Sequence, residues 1–445
     1  MHPPVALTIA GSDPSGGAGI QADLKAFQYL GVHGTTVITA ITAQNTRDVT
    51  AIYPLPAAQI TRQLQAILAD LPIAAVKTGM LHNKAIIHAV ATTLTKHGLT
   101  PVVDPVMTAT SGRRLADQTF TTTLKKELLP HALLLTANIP EASILLGTPI
   151  RSLTDARHAC RQLADLGPCT VLLKGGHLTG KTATDLYYDG TTIKEYSLPR
   201  IPHKKAHGSG CTLAALITGL LAQDTPLHEA VPTAKRILWA MINDGYTPGH
   251  GADVLNHTTS IMVPPEFPTP MHAQTWCRLH DSLSLILTAL PATFIPEVGI
   301  NIAYALPHAH TASDVCALQG RIVRAGNHPL RCGTLTFGGS RHTAAVVLAA
   351  MTTDPTIRTA MNLRFCDDII ARAKRKRMIT GTFDRTDEPA DAKSTMDWGT
   401  RSAIRALGAV PDLIYDHGGL GKEPMIRLLA HDPGKLAKKL RRLSP

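Results

Sequence analysis

The stretch VALTIAGSDPSGGAGIQADLK, Val5–Lys25, begins with an apolar run and continues through a glycine-rich turn into a more polar segment. Val5–Ile9 predicts a short strand, and the segment after the turn predicts a helix that carries Gln21 and Asp23. Strand, glycine-rich turn and helix in this order are typical of a small-molecule site at the carboxyl end of a parallel strand.

Other apolar runs also end in polar or glycine-bearing turns, and helical patterns follow most of them. These runs are Val37–Ala43, Ala74–Lys77, Val102–Val103, Leu133–Thr136 and Val171–Leu173. Alternating strands and helices predict an α/β fold with a largely parallel sheet flanked by helices. Parallel strands end at one edge of the sheet, so we expect polar side chains to meet in a crevice there. They are Asp23, Gln44, Asp104, Asn138, Glu141, Lys174 and Cys211.

The segment HGSGCT, His207–Thr212, precedes the apolar run Leu213–Leu221 and predicts a glycine-rich turn that opens a helix. The glycines let backbone N–H groups point at one spot, and the helix N-terminus adds partial positive charge there. Cys211 lies where the helix begins, a place that tends to lower the pKa of a thiol. Two interpretations remain open for this segment alone: an anion hole with a candidate base, or a helix cap with a buried cysteine.

Seven motifs in order resemble the hydroxymethylpyrimidine kinase/hydroxymethylpyrimidine-phosphate kinase of thiamine biosynthesis, a member of the ribokinase superfamily. The resemblance covers roughly residues 1–260 and implies a ribokinase-like domain. Other members of the superfamily usually carry Asp at the position of Cys211. The motifs are TIAGSDPSGGAGIQADLK, ITAQNT, KTGML, DPVM, NIPEA, LKGGH and HGSGCT.

This resemblance implies roles for individual residues, with ATP and Mg²⁺ as cofactors. Cys211 would deprotonate the attacking group, or act only as a donor, and Asp104 and Glu141 would hold Mg²⁺. The residues that would contact ATP or phosphate are Asn138, Lys174, Gly208, Ser209 and Gly210. The residues that would contact the aminopyrimidine are Gly11, Ala18, Asp23, Gln44, Met80 and Val106, although Met80 and Val106 could be plain core.

One motif is misleading. Gly175–Thr182, GGHLTGKT, fits the P-loop pattern letter for letter. A P-loop needs a helix that starts at the Lys-Thr pair, whereas the following residues alternate and contain Asp189-Gly190. We therefore predict a β-hairpin with its turn at Asp189-Gly190, and we reject the P-loop interpretation.

Composition limits the location and the partners. The chain has 445 residues, too many for one typical domain, and a net charge of +11 at pH 7. That charge suits phosphorylated substrates and equally suits nucleic acid. No long uncharged apolar run and no signal-peptide pattern occur, so we expect no membrane span and a cytoplasmic protein. Seven dispersed cysteines without a C-x-x-C pair fit a reducing compartment and no zinc site.

The proline-rich stretch PPEFPTP, Pro264–Pro270, is typical of a stiff spacer. We therefore expect a first domain over 1–263, a linker over 264–272 and a second, smaller α/β domain over 273–445. The second domain contains three glycine-rich clusters with cations, Gly320–Gly326, Phe337–His342 and Tyr415–Pro424. Each cluster alone predicts either an anion site or a capped turn with surface charge.

Together, LQGRIVRAG, FGGSRHTA, MNLRFCDDI, GTFDR and PDLIYDHGGLGKEPMIR resemble the archaeal-type thiamine-phosphate synthase domain. The resemblance covers roughly 275–440 and implies that hydroxymethylpyrimidine diphosphate condenses with hydroxyethylthiazole phosphate to release pyrophosphate. The key residues would be Arg321 and His342, because a guanidinium and a protonated imidazole can meet the departing negative charge. Asp367 and Asp368 are weaker candidates as metal ligands, since acidic pairs are more often a solvated helix face.

Alternatives remain for each domain. The second domain could sense thiamine phosphate without turnover, and the first could phosphorylate a related ring alcohol such as pyridoxal. We expect a homodimer, which is common in both families. The basic runs 372–377 and 435–442 lack interleaved aromatics, so we interpret them as phosphate-attracting surface and expect no nucleic-acid partner.

Overall fold

The computed structural model describes residues 2–109, 112–113, 115–117, 119–167, 170–201, 206–259, 263–389, 392, 394–419 and 421–444. Its contacts divide the chain into two compact units, Met1–Val263 and Pro264–Pro445. We call these the first unit and the second unit. Within the described residues, no helix of either unit has the length and apolar content needed to cross a bilayer.

The first unit is built on a nine-stranded sheet with the strand order β3-β2-β1-β4-β5-β6-β7-β8-β9. The six strands from β2 to β7 in that order are parallel, and β3, β8 and β9 are added by antiparallel pairing. The strands are β1 (Val5–Ser12), β2 (His33–Gln44), β3 (Val49–Pro54), β4 (Ile73–Thr78), β5 (Val102–Val103), β6 (Leu134–Asn138), β7 (Val171–Lys174), β8 (Thr182–Tyr188) and β9 (Ile193–Pro199). A separate parallel pair consists of β10 (Ala206–His207) and β11 (Asp253–Val254).

Helices cover both faces of this sheet, because its central strands are apolar on both sides. In β1, Leu7 and Ile9 are buried in one hydrophobic cluster, whereas Ala6 is buried in another on the opposite face. Side chains alternate along a strand, so both faces need a cover. This arrangement confirms the predicted parallel α/β fold. The helices are α1 (Gly19–Tyr29), α2 (Ala57–Asp70), α3 (Lys84–Lys96), α4 (Phe120–Thr123), α5 (Ile139–Leu146), α6 (Leu153–Ala164), α7 (Ser209–Ala222) and α8 (Leu227–Asn243).

The P-loop-like motif does not form a P-loop. Gly175–His177 makes a single 3-10 turn after β7, and the residues from Thr182 onward form β8 rather than a helix. β8 pairs with β9 in a hairpin in which Tyr188 faces Ile193. The predicted hairpin is therefore confirmed.

The second unit contains a seven-stranded sheet with the order β14-β13-β12-β15-β18-β17-β16, antiparallel except for the β16-β17 pair. Its strands are β12 (Ile302–Ala305), β13 (Val315–Ala325), β14 (His328–Phe337), β15 (Thr359–Arg364), β16 (Thr380–Thr382), β17 (Leu413–Asp416) and β18 (Met425–Ala430). Its helices are α9 (Pro270–Ala289), α10 (Arg341–Met351), α11 (Asp367–Arg375), α12 (Thr395–Leu407) and α13 (Pro433–Leu443).

A buried ion cluster joins the last strands of the second unit. The Asp416 carboxylate is fully buried and lies 2.6 Å from Arg385 Nε and 2.6 Å from Arg427 Nη1, and it also accepts the Gly418 backbone N–H. Burial alone would raise the pKa of Asp416, but the two guanidinium groups hold that pKa below its usual value. Arg427 also stacks over the Phe383 ring. The cluster is stable only while both signs of charge are present.

We therefore predict that Asp416→Asn lowers the free energy of unfolding of the second unit by about 3 kcal/mol, because it leaves Arg427 buried without a counter-charge. The matched control is Asp397→Asn, which removes an exposed partner of Arg401 and should cost only about 0.5 kcal/mol. Calorimetry of the full-length variants would measure both effects. Equal small losses would show that the buried cluster contributes no more than a surface pair.

Candidate active site

A cavity of about 410 Å³ opens at the carboxyl edge of the parallel strands in the first unit, and we call it the main cavity. Strand ends, the loops after them and the start of α7 form its wall. The predicted site residues that line it are Gly11, Ala18, Gln44, Met80, Asp104, Val106, Asn138, Glu141, Lys174, Gly208, Ser209, Gly210 and Cys211. The expected crevice is therefore present, with Asp23 as the exception.

Lys174 is the charged centre of the main cavity. It is the last residue of β7, and its ammonium lies 2.8 Å from Asp104 Oδ1 and 3.9 Å from Glu141 Oε2. Burial lowers the pKa of Lys174, but the two carboxylates outweigh burial and hold that pKa above its usual value. The ammonium therefore stays charged and balances two carboxylates that have little access to water.

Glu141 is fixed by the first turn of α5. The Asn138 side chain accepts the Glu141 backbone N–H, and the Glu141 carboxylate accepts the Asn138 backbone N–H, both at 2.8 Å. This capping box holds the carboxylate at the N-terminus of the helix. Burial, assisted by Asp104, raises the pKa of Glu141 to about 7 despite the opposing effects of Lys174 and Asn138. Burial thus favours the protonated form of Glu141 more than water would.

The carboxylates of Asp104 and Glu141 suit Mg²⁺, which needs only one or two protein carboxylates when phosphate oxygens and waters complete its shell. In the part of the chain that the structure describes, no group of three or more His, Cys, Asp or Glu side chains is placed to hold a metal ion. A magnesium site that is completed by the phosphates of a substrate therefore fits these two residues.

The loop before α7 brings backbone N–H groups close to Lys174. Gly208, the N-cap of α7, has a positive φ of 80°, and a Cβ there would lie 1.8 Å from the Gly17 carbonyl oxygen. A Cβ on Gly210 would lie 3.2 Å from Lys174 Nζ. Only glycine fits at Gly208, and the helix N-terminus and the ammonium face the same space. Their positive character suits an anion, and the anion-hole role stays a prediction.

Cys211 lies in the main cavity, but its predicted acidity is wrong. Burial raises the pKa of the Cys211 thiol to about 12, and the carboxylates of Asp104 and Asp23 act in the same direction. The nearby Lys77 ammonium opposes this shift without overcoming it. The thiol is therefore protonated in the free protein near neutral pH.

Asp23, expected to contact the pyrimidine, is placed differently. Its side chain is fully buried, both carboxylate oxygens lie 2.8 Å from Lys77 Nζ, and Thr8 Oγ1 donates to it at 2.6 Å. Burial raises the pKa of Asp23, although Lys77 and Thr8 oppose this. Asp23 does not line the main cavity. A direct contact with substrate is therefore corrected to a structural role that pairs α1 with β4.

A second cavity of about 200 Å³ lies beside the main cavity and shares Asn138, Lys174 and the start of α7 with it. Its other walls are mostly apolar, and Leu198, Trp239 and Ile242 are among them. Lys174 borders both cavities, and the second cavity has mostly apolar walls. This arrangement suits a phosphate chain whose base lies in the second cavity.

Sequence reasoning missed two buried ion pairs near these cavities. One is Lys77 with Asp23, and the other is Lys235 with Asp185, whose carboxylate also accepts the Gly175 backbone N–H. Lys77 lies in the quoted KTGML motif, where a lysine at the end of an apolar strand was a usable signal. Asp185 and Lys235 belong to no motif, because a hairpin and a distant helix supply them.

The structure places the predicted residues of the second unit on its surface. Arg321 lies in β13, is exposed, and donates to the Gly320 carbonyl oxygen at 2.7 Å. His342 is the second residue of α10 and is also exposed. Among the described residues no hydrogen bond or ion pair joins these two side chains. Asp367 and Asp368 are exposed in the first turn of α11, so their metal role stays a prediction.

Comparisons with known proteins agree with this two-part arrangement. The family model described as phosphomethylpyrimidine kinase matches residues 13–256, and the model described as thiamine-phosphate synthase ThiN matches residues 278–442. The bifunctional thiamine biosynthesis protein ThiDN of Methanocaldococcus jannaschii is 32% identical over 98% of this chain and 97% of its own length. Both family resemblances are thereby confirmed.

Two further relatives match the first unit. The hydroxymethylpyrimidine/phosphomethylpyrimidine kinase of Rhizobium meliloti is 46% identical over 57% of this chain and 96% of its own length. The solved ADP complex of Bacillus subtilis pyridoxal kinase is 34% identical, has a TM-score of 0.54, and covers 57% of this chain and 98% of its own. The ribokinase-like fold of the first unit is confirmed.

We predict that Cys211 reacts slowly with iodoacetamide at pH 8, because with a pKa of about 12 only about one thiol in ten thousand is ionised there. The exposed Cys332 and Cys366 serve as internal controls and should react about 100-fold faster. Peptide mass spectrometry over time measures all three. Alkylation of Cys211 at the control rate would show that it is a thiolate.

A second prediction concerns the stability of the first unit. The pKa of Glu141 is about 7 in the folded protein against an ordinary value of 4.5, so folding retains a proton that the unfolded chain releases in this range. The resulting stabilisation is complete below about pH 4.5 and is lost as the pH rises through about 7. Relative to Glu141→Gln, the wild type should therefore have a melting temperature that falls as the pH rises from 5 to 8. The melting temperatures are measured in buffer that contains a metal chelator, so that no bound cation affects Glu141. A growing advantage of the wild type would contradict this.

Proposed function

This chain belongs to the family of bifunctional thiamine biosynthesis proteins that join a phosphomethylpyrimidine kinase to a ThiN synthase, and from this we propose three reactions. The first unit uses ATP to phosphorylate 4-amino-5-hydroxymethyl-2-methylpyrimidine to its monophosphate and then to its diphosphate. The second unit condenses the diphosphate with hydroxyethylthiazole phosphate to give thiamine phosphate and pyrophosphate. The main support for the kinase reactions is Lys174 at the end of β7. Its ammonium lies between Asp104 and Glu141 and close to the start of α7.

Phosphoryl transfer in the first unit rests on positioning and charge stabilisation. The N–H groups at the start of α7 and the Lys174 ammonium face the same part of the main cavity, where they meet the negative charge of a transferred phosphoryl group. Mg²⁺ held by Asp104 and Glu141 would neutralise phosphate charge when bound. Because these groups are fixed by strand ends and a capping box, they need little rearrangement during the reaction.

The substrates divide between the two cavities. In the main cavity, Gln44 supplies polar contacts to the pyrimidine, and the small or apolar walls are Gly11, Ala18, Met80 and Val106. The second cavity accepts the base of ATP against Leu198 and Trp239, and the phosphates extend past Asn138 and Lys174 toward Ser209 and Gly210. Lys174 therefore lies where the two substrates meet.

Cys211 faces the attacking hydroxyl from the start of α7. A thiol with a pKa of about 12 is protonated in the free protein, which supports a role as a hydrogen-bond donor to the reacting oxygens. A role as general base requires that substrate binding lowers this pKa. The two roles differ in pH dependence, because only the base role gives an activity that rises as the thiol ionises.

In the second unit we assign pyrophosphate departure to Arg321 and His342. Both side chains are exposed, so a phosphorylated ligand can reach them from solvent. The guanidinium can bind two phosphate oxygens at once, and an imidazolium adds positive charge as the carbon–oxygen bond breaks. The thiazole nitrogen then attacks the pyrimidine methylene carbon.

We further propose that the protein works in the reducing cytoplasm as a homodimer. All six described cysteines are free, which supports a reducing compartment. The dimer rests on the family resemblance alone, and sedimentation of the purified protein tests it.

A second candidate for the first unit is pyridoxal phosphorylation, which the likeness to a pyridoxal kinase structure favours. Purified protein is incubated with Mg-ATP and either pyrimidine alcohol or pyridoxal, and the products are separated. Phosphorylation of pyridoxal alone would select this candidate. Thiamine phosphate formed from the pyrimidine, ATP and hydroxyethylthiazole phosphate would establish the main proposal, whereas accumulation of the diphosphate would leave the second unit a binding module.

We predict that Lys174→Ala lowers kinase turnover by about 100-fold or more, because one preorganised charge is lost at the reacting phosphate. Lys181→Ala is the matched control, since this exposed lysine of the P-loop-like motif should change turnover little. Condensation from supplied diphosphate should be normal in both variants. Equal loss in both variants would mean that Lys181 shares the phosphate-binding role.

The reverse pattern is expected in the second unit. Arg321→Ala should lower condensation by about 100-fold with normal kinase turnover, whereas Arg324→Ala, an exposed arginine on the same strand, should have little effect. Product formation from each half-reaction measures both variants. Parallel loss of kinase activity in Arg321→Ala would point to misfolding or to coupled units.

A further inference from the structure

His207, just before α7, links its own loop to the loop before α1 at the wall of the main cavity. It is buried and lies in β10, paired with Val254 of β11. A Cβ on Gly17 would lie 2.5 Å from His207 Cδ2, so the ring packs directly against the glycine backbone. The ring therefore contacts the loop before α1 directly.

One nitrogen of this ring faces two polar groups. His207 Nε2 lies 3.1 Å from Asp13 Oδ2 and 3.1 Å from Gln44 Nε2. The Asp13 carboxylate also accepts the backbone N–H groups of Ser15 and Ala18, so the loop holds it firmly. Gln44 in turn lines the main cavity. The chain Asp13–His207–Gln44 therefore connects a buried charge to the pyrimidine side of the cavity.

The proton on Nε2 belongs to the bond with Asp13. Burial raises the pKa of Asp13, but hydrogen bonds from His207 and Ser15 outweigh burial and hold that pKa below its usual value. An ionised carboxylate only accepts hydrogen bonds, so Nε2 must carry a hydrogen in the neutral and in the charged ring alike. Nε2 then has no lone pair left for a second donor.

This fixes which end of the Gln44 carboxamide faces His207. Gln44 Nε2 and a protonated His207 Nε2 are both donors, so they cannot form a hydrogen bond with each other. Rotating the Gln44 carboxamide by 180° exchanges its nitrogen and oxygen and leaves all other atoms in place. The oxygen therefore belongs on the side of His207. Thr42 is compatible with this orientation: the shorter of its two contacts is donation to the Ser12 carbonyl at 2.9 Å, and with the proton there its Oγ1 can accept at 3.3 Å from the other end of the carboxamide.

We propose that His207, held by Asp13, is a positioning residue that makes Gln44 present an N–H to the main cavity and thereby selects the aminopyrimidine. In a 4-aminopyrimidine the ring nitrogen beside the amino group is a hydrogen-bond acceptor. In the 4-oxo analogue the same nitrogen carries a hydrogen and opposes the N–H of Gln44. The inference rests on the proposed pyrimidine kinase function and adds the group that determines specificity within it.

The test compares kcat/KM for two alcohols, 4-amino-5-hydroxymethyl-2-methylpyrimidine and its 4-oxo analogue, in full-length protein with Mg-ATP. The wild type should prefer the amino compound by about 100-fold, since the analogue leaves a buried donor facing a donor. His207→Phe keeps a ring against Gly17 but frees the carboxamide, so the preference should fall by about tenfold. His207→Gln restores an N–H toward Asp13 and should retain most of the preference.

The ratio of the two substrates separates orientation from general damage, because a merely disturbed loop would lower both activities alike. His177→Phe, another cavity histidine, is the matched control and should leave the ratio unchanged. Asp13→Asn removes the charge that fixes the proton and should lower the preference even if His207→Phe fails to fold. An unchanged preference in these His207 and Asp13 variants would overturn the inference, whereas a wild type inactive toward both alcohols would overturn the proposed function.

Discussion

A buried ammonium between two carboxylates, Lys174 with Asp104 and Glu141, is the interaction on which the first unit depends. Each group lies at or just after the end of a different parallel strand, so the three meet only when the neighbouring strands β5, β6 and β7 have paired. Charges with little access to water must be balanced by opposite charges. The same ion pairs therefore stabilise the sheet and place charged groups in the main cavity. The two cavities lie on either side of this charge, and the helix dipole of α7 reinforces it.

Much of this arrangement was accessible from the sequence for a simple physical reason. Apolar runs identify buried strands, and parallel strands end at the same edge, so Gln44, Asp104, Asn138 and Lys174 were expected to meet and do. The rejected P-loop shows the same logic, because the alternation after Thr182 predicts a strand whatever the motif letters suggest. The period of the hydrophobic pattern and the common direction of the strands predict these positions without knowledge of any contact.

What the sequence did not supply depends on contacts between distant segments. Asp23 of α1 has the right chemistry for a substrate contact. However, Lys77 of β4 donates hydrogen bonds to both of its carboxylate oxygens. Cys211 follows the local rule for a helix N-terminus, yet burial and two carboxylates reverse the direction of its pKa shift. Local rules give the position of a group, whereas its ionisation is set by everything packed around it.

The close approach of Gly17 and Gly208 has a consequence for how such a protein can change over generations. A Cβ on Gly208 would clash with the Gly17 carbonyl oxygen, and a Cβ on Gly17 would clash with the buried ring of His207, so a side chain at either position needs a change at the other. The two loops are far apart in the chain but sterically behave as one part, so an insertion or a transplanted loop at one of them is tolerated only with a matching alteration of the other. The two loops should accordingly diversify only as a pair.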